Sequence, residues 1–267
     1  NPYWVLNKMS NDTKKDTYRG SAVIRYRPFK QMSLRATLGT DMNFLVFEDF
    51  AYPTSPGREM GALTIKDYRN RTYTAEFLAS YRDRFKKLNY GATVGGNIYK
   101  VDNKTRIIMA QNMVMRDAKA LESFSERKIE EEPYCKQINS VYGSLNLGYD
   151  NFAYMDMTLR GDYSSTLPIQ NNLYWYPSVS GSFLFSEFFH INKEILPYGK
   201  VRASWAKVGH DTWPYLLQLM YGMAPHNFGK YPMASITNDV IPNKKLKPTM
   251  TNSVELGFEL KFLNNRI

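Results

Sequence analysis

The sequence has almost no cysteine, little histidine and no long apolar run. Cys135 is the single cysteine, which excludes an intramolecular disulfide framework and a zinc site built on thiolates. The three histidines, His190, His210 and His226, fall in turns and loops. His210 adjoins Asp211, but no nucleophile is placed to complete a catalytic set. G-x-S-x-G, H-E-x-x-H and P-loop strings are missing, so the chain reads as a non-enzyme that needs no cofactor or metal. No segment reaches the roughly 18 apolar residues of a transmembrane helix, and the mean hydropathy is -0.48. Acidic residues are the scarcer sign, 25 against 35 Lys+Arg, for a net charge of +10. The excess is spread over turns, loops and one strand face, which argues against a nucleic-acid partner.

What the chain has is aromatic residues and alternation. Aromatics make up 15% of the 267 residues, with 20 Tyr, 15 Phe and 4 Trp, too many for a disordered chain and suited to strands. Period-2 alternation recurs along the whole length. Val141, Gly143, Leu145, Leu147 and Tyr149 oppose Tyr142, Ser144, Asn146 and Gly148. Ala153, Met155, Met157, Leu159, Gly161 and Tyr163 oppose Tyr154, Asp156, Thr158, Arg160, Asp162 and Ser164. Nine strands of about ten residues are expected, over residues 17–27, 32–42, 72–82, 88–98, 141–149, 153–163, 174–185, 198–208 and 252–262.

Connections alternate in length. Short ones lie near 28–31, 83–87, 150–152 and 263–266, with a middling one at 186–197. Long ones are expected at 45–71, 101–137, 165–173 and 209–251. In an up-and-down meander this puts tight turns on one side and long loops on the other, the asymmetry of an outer-membrane barrel. Two further features separate lipid from a soluble core. The polar face carries mid-strand charges, among them Arg35, Glu76, Asp156, Arg160, Arg202, Glu255 and Glu259, which suit a wet lumen. Aromatics end the apolar faces, with Tyr18 and Tyr26, and Tyr73 and Tyr81, eight residues apart. Eight tilted residues span roughly 20 Å, close to the apolar band of a barrel with its aromatic girdles. Tyr90, Tyr149, Phe185 and Phe262 fit the inner rim, Tyr163 and Trp205 the outer one. The alternative is a soluble β-sandwich whose aromatics grip glycans. Nine strands are odd in number and would leave an open edge in lipid, so a piece of a larger barrel is expected. The start at Asn1 without Met and the stop after the turn-like Asn264-Asn265-Arg266 add to that expectation.

Several strings resemble one family. Arg160-Gly161-Asp162-Tyr163-Ser164-Ser165-Thr166-Leu167-Pro168 resembles the R-x-D-x-S-S-x-L-P run of SusC/RagA-type TonB-dependent transporters, with Tyr176-Pro177-Ser178 following. Lys200-Val201-Arg202-Ala203-Ser204-Trp205-Ala206-Lys207-Val208-Gly209 is similar to K-x-R-A-S-[WY]-x-x-V-G. Leu246-Lys247-Pro248 leads into Thr251-Asn252-Ser253-Val254-Glu255-Leu256-Gly257, with Thr249 where the family has Glu, and Asn1-Pro2-Tyr3-Trp4 resembles N-P-Y-W. The resemblance implies an all-β, 22-stranded, plugged barrel in the Gram-negative outer membrane, of which residues 1–267 would be a C-terminal portion without plug, N-terminal strands or last strand. It implies import of oligosaccharides or peptides beneath a SusD-like surface lipoprotein lid, energised by the TonB–ExbB–ExbD complex. A barrel with a structural or secretion role is the other membrane reading.

Candidate site residues follow. Tyr174 and Tyr176 share the lumen face near the mouth, where aromatic rings stack on sugars; the alternative is an interfacial girdle. Arg160 and Asp162 could hydrogen-bond a polar solute, or could form a network that holds wall or plug. Trp213 and Tyr215, in 209–251, are further candidates for substrate contact, and Trp4, His210, His226 and Tyr231 for contact with the lid. Glu130-Glu131-Glu132 lacks the spacing of a calcium loop and reads as a solvated loop. Lys244, Lys245 and Lys247 are the densest basic cluster, and on an outer loop they would meet lipopolysaccharide phosphates.

Overall fold

The computed structural model describes residues 2–116, 118–192, 194, 196–224, 228–238 and 240–262. After a short helix α1 (Pro2–Lys8), the chain runs through β1 (Met9–Phe29), β2 (Met32–Ala51), β3 (Ala62–Phe85), β4 (Leu88–Met113), β5 (Phe124–Tyr149), β6 (Ala153–Ser164), β7 (Leu173–Phe183) and β8 (Tyr198–His210). A small ribbon of β9 (Tyr221–Met223) and β10 (Ala234–Ile236) precedes β11 (Thr249–Lys261). β1 to β8 and then β11 pair in that order in a nine-stranded antiparallel sheet. A one-turn helix α2 (Phe185–Phe188) occupies the start of the β7–β8 connection. No helix among the described residues is long and apolar enough to cross a membrane, which says nothing of a β-barrel.

The nine strands fall where alternation places them, but several are much longer. β3 covers 24 residues, and β4 and β5 cover 26 each. The segments 45–71 and 101–137, expected as long loops, are mostly strand, and only 52–61 and 114–123 lie between the strands. The cause is physical. Alternation reports a sheet whose two faces meet different solvents. Where both faces meet water, as over Lys66-Asp67-Tyr68-Arg69-Asn70-Arg71, ladder hydrogen bonds still hold the strand while the hydropathy signal is lost. Glu130-Glu131-Glu132 accordingly lies on β5 and not in a loop.

The chain divides into two compact units. The first comprises Asn1–Ala22, Leu38–Thr74 and Tyr99–Lys136. Its core is small: Leu63, Ala110, Met113 and Phe124 are buried, with Phe50, Tyr52, Ile65 and Leu121 packed on them. Helix α1 is tied to this unit by Trp4, whose Nε1 donates to Ser55 Oγ at 3.0 Å. The 114–123 connection is tied by Lys119, whose Nζ lies 2.7 Å from Glu48 and 5.5 Å from the ring centre of Phe50. Glu131 accepts from Lys104 at 2.8 Å and from Arg106 at 3.0 Å. These two cations, Lys104 first, hold its carboxyl below the usual carboxylate range.

The second unit comprises Val23–Thr37, Ala75–Ile98 and Gln137–Ile267. Its register sorts side chains into rows. Leu145, Met157, Val179, Trp205 and Val254 are aligned across five strands, as are Leu147, Met155, Gly181, Ala203 and Leu256. The alternate rows read Asn146, Asp156, Ser180, Ser204 and Glu255, and Ser144, Thr158, Ser178, Ala206 and Ser253. One face is therefore apolar along its whole width yet exposed, with Leu159, Trp175, Trp205 and Leu256 all open on it. On that face the Trp175 ring lies on Gly161, close enough that a Cβ at Gly161 would meet it at 2.8 Å. The tight turns need left-handed backbone at Lys86, Asp150 and Asn151. Two of them are clasped by Lys87 Nζ, 2.5 Å from Asp150, and this carboxylate raises the lysine pKa.

Candidate functional site

On the polar face of the second unit the charges form a continuous belt. Arg35 on β2 donates to Glu76 on β3 at 2.8 Å. The other oxygen of Glu76 accepts from the Tyr142 hydroxyl of β5 at 2.7 Å. β4 lies between these strands, so Tyr142 must cross it. It does so over Gly95, where a Cβ would stand 3.1 Å from the ring and 2.6 Å from the Phe77 carbonyl oxygen. Only glycine leaves that path open. The Arg160 guanidinium of β6 lies 5.4 Å from the Tyr142 ring centre and donates to Ser140 at 2.9 Å and to Asp162 at 2.8 Å. Tyr176 of β7 donates its hydroxyl to the other oxygen of Asp162, and the Tyr174 ring stacks on Tyr176 at 5.9 Å. The register explains the alignment: Tyr142, Arg160 and Tyr176 occupy one row, and Ser140, Asp162 and Tyr174 the next.

Beyond the belt, a buried polar staple joins two distant segments. Ser164 and Thr166, 0% and 2% exposed, donate to the same carboxylate oxygen of Asp211 at 2.5 and 3.3 Å. Ser165 Oγ accepts from the Gln137 backbone N–H at 2.9 Å, and Leu167 is buried. Asn171 donates to the carbonyls of Lys245 and Leu246 at 3.3 and 3.0 Å. Nothing polar in this cluster is left without a partner, which is what burial of hydroxyls and a carboxylate demands.

The candidate residues separate into those brought together and those kept apart. Tyr174, Tyr176, Arg160 and Asp162 are neighbours in the belt. Asp162 is buried, and Tyr174 is only 7% exposed, covered by the close approach of Gly209. Tyr176 is half-buried. Trp213 is open, at 70% exposure, and Tyr215 has left-handed backbone; both lie in the 211–220 segment after β8. His210 is the last residue of β8, paired with Thr249. Tyr231 is exposed beside Phe228, with Lys230 Nζ 5.7 Å over its ring. Trp4 is in α1 of the first unit, its ring 6.5 Å from that of Tyr52. His226 lies outside the described residues. Alternation alone puts Arg35 and Glu76 among the lumen charges and Tyr142 on the polar face of its strand, and singles out none of the three as a site residue. The signal that could have found Tyr142 is a bulky polar side chain facing a glycine on the next strand. No group of three His, Cys, Asp or Glu among the described residues is arranged to hold a metal ion.

Against known proteins, no family model matches the chain. TonB-dependent receptor P26 of Formosa agariphila is 24% identical over 279 residues, covering 100% of this chain and 28% of the relative. TonB-dependent receptor P3 of the same organism is 22% identical, over 100% of the chain and 27% of its own length. A solved structure of the RagAB peptide transporter superposes with a TM-score of 0.89 at 18% identity, over 99% of this chain and 30% of that one. The chain is similar to SusC/RagA-type TonB-dependent receptors. It spans less than a third of the length of the curated relatives it matches, and its fold is that of part of a TonB-dependent barrel. The SusC/RagA-like strings acquire a structural meaning from the geometry. Arg160-x-Asp162 is a belt link, Ser164-Ser165-Thr166-Leu167 is the staple, and the Val208-Gly209 end of the next string delivers Asp211 to it.

Proposed function

We propose that this chain forms wall strands of an outer-membrane barrel that imports oligosaccharides or peptides. A SusD-like surface lipoprotein would serve as lid, and TonB–ExbB–ExbD would supply the energy. One observation carries the reading: the sheet has an exposed apolar face in unbroken rows and a polar face cross-linked by Arg35, Glu76, Tyr142, Arg160, Asp162 and Tyr176. Lipid outside and a wet lumen inside account for both faces at once. A soluble sandwich would cover the apolar one. The superposable RagAB structure is that of a peptide transporter, which supports uptake over a purely structural role. β1 and β11 are the sheet's edges, and in lipid each edge must pair with a further strand.

Within this reading the belt stiffens the wall, the half-buried Tyr176 and Arg160 present polar groups to a passing solute, and the buried Asp162 and Tyr174 hold them in place. Trp213 and Tyr215 sit on the outer segment that solute would meet first. Trp4, His210, His226 and Tyr231 are assigned to lid contact. The test uses the protein purified from outer membranes. Detergent-dependent solubility, heat-modifiable gel migration and co-purification of a surface lipoprotein are expected, and disruption of the gene is expected to abolish growth on one class of oligosaccharide or peptide. Full solubility without detergent would refute the barrel. A disruptant that takes up every oligosaccharide and peptide normally would refute import.

A further inference from the structure

On one face of the first unit, aromatic residues give way abruptly to cations. The β3 face that carries Tyr73 continues as Arg71 and Arg69, and the β4 face that carries Ile98 continues as Lys100, Lys104 and Arg106. Contacts place these residues together. The Tyr18 and Phe44 rings meet edge-on at 6.1 Å, and the Arg71 guanidinium lies 6.0 Å over Phe44. Glu131 binds both Lys104 and Arg106, and Arg69 pairs with Asp67 at 2.8 Å and senses Glu131. On β3 and β4 the same face carries the carboxylates Asp67 and Asp102, Glu131 reaches it from β5, and Asp12, Asp16 and Glu48 continue the faces of Tyr18 and Phe44 on β1 and β2. Arg71 and Lys100 make no ion pair among the described residues. Residues of the same strands that point the other way, such as Lys66 over Phe47, lie outside this set.

Position fixes the kind of partner. Tyr73, Tyr18 and Phe44 suit the inner edge of the headgroup layer. From Tyr73 to Arg69 is four residues, about 10 Å along the membrane normal at barrel tilt, whereas a headgroup layer is roughly 5–8 Å thick. The ladder therefore crosses the depth at which lipid phosphates lie. Guanidinium forks bind phosphate oxygens in pairs, and ammonium groups add point charge.

We infer that Arg69, Arg71, Lys100, Lys104 and Arg106 form a docking surface for the phosphate groups of anionic lipid in the outer leaflet. The inference rests on the outer-membrane reading above. Arg71 and Lys100 supply the uncommitted charge, and Lys104 and Arg106 share theirs with Glu131. The experiment takes the protein purified from outer membranes into nanodiscs and measures binding of lipopolysaccharide, intact or dephosphorylated. The double variant Arg71→Gln/Lys100→Gln, which leaves every ion pair of the ladder intact, is expected to bind intact lipopolysaccharide about tenfold more weakly at about 0.15 M salt. Dephosphorylation is expected to bring the unmodified protein to the same level. Arg19→Gln/Lys66→Gln removes equal charge from the opposite face and is expected to change little. Equal loss in both double variants, indifference to dephosphorylation, or full displacement by millimolar inorganic phosphate would each overturn the docking surface. Failure of the unmodified protein to insert into membranes overturns the barrel reading itself, and heat-modifiable migration separates that failure from the others.

Discussion

Adding one methyl group at Gly95 tests the belt more sharply than removing any of its charges. A Cβ there would lie 2.4 Å from Leu78 Cδ2, 2.6 Å from the Phe77 carbonyl oxygen and 3.1 Å from the Tyr142 ring. The leucine can turn away, but a ladder carbonyl cannot, so either β4 shifts or Tyr142 lifts off. Overpacking of this kind costs about 1–3 kcal/mol. Lifting Tyr142 also breaks its hydrogen bond to Glu76, a bond to a charged group worth about 1.5–3 kcal/mol. Both partners are half-buried, so the lower end applies, about 1.5 kcal/mol. Gly95→Ala is then expected to cost roughly 2.5–4.5 kcal/mol and Tyr142→Phe about 1.5 kcal/mol. The double variant should cost no more than Gly95→Ala alone, because the bond is already lost, which gives a coupling of about 1.5 kcal/mol. Urea unfolding in lipid vesicles, followed by tryptophan fluorescence, measures all three. Additive costs would refute the crossing of Tyr142 over Gly95 as the link between β3 and β5.

Other perturbations give separate readouts. Asp211→Ala leaves the buried Ser164 and Thr166 hydroxyls without their acceptor and should cost about 2–4 kcal/mol, with hydrogen exchange rising first between 164 and 172; unchanged exchange there would discount the staple. Gly161→Ala drives a Cβ into the Trp175 ring and should cost about 1–3 kcal/mol, whereas in a Trp175→Ala background it should be close to neutral; equal costs in both backgrounds would mean that the ring is not what requires glycine. Glu131 has a depressed pKa when folded, so its contribution is present above its unfolded value and is lost as pH falls through the folded value. Glu131→Gln should therefore loosen the outer β4–β5 hairpin at neutral pH and match the unmodified protein in acid, as read by amide exchange; a difference that persists in acid would rule out the ion pairs as its cause.

In the second unit the expected strands lie within about three residues of the observed ones at most ends, because an apolar and a polar face alternate strictly there. β6 was expected at 153–163 and ends at Ser164; β7 was expected from 174 and starts at Leu173. Over 66–71 and 102–106, where both faces are polar, the strand continues without a pattern and reads as loop in the sequence, and Leu63, Ala110 and Met113 further out belong to a small core that no alternation announces. The pairing of Arg160 with Asp162 was visible because both stand on one face, two residues apart. The role of Tyr142 was hidden, since it depends on a glycine in a neighbouring strand and a carboxylate two strands away. The Ser164–Asp211 bond joins residues 47 apart in sequence, a distance over which no periodicity carries information.

Each strand of the nine-stranded sheet pairs with its sequence neighbour, the longest of those connections being 184–197, except β8 with β11, which are separated by 211–248. Closing that segment costs only roughly 2 kcal/mol more than closing a four-residue turn, and each doubling of its length adds about 0.6 kcal/mol. Between the staple's anchors at Asp211 and at Lys245 and Leu246, insertions, deletions and exchange are therefore nearly free to the wall. The register of β11 is instead written in its thirteen paired residues with β8. A lineage of such proteins can rebuild this connection by cassette replacement between Asp211 and Lys245, while the strands and the staple that ties them stay as they are.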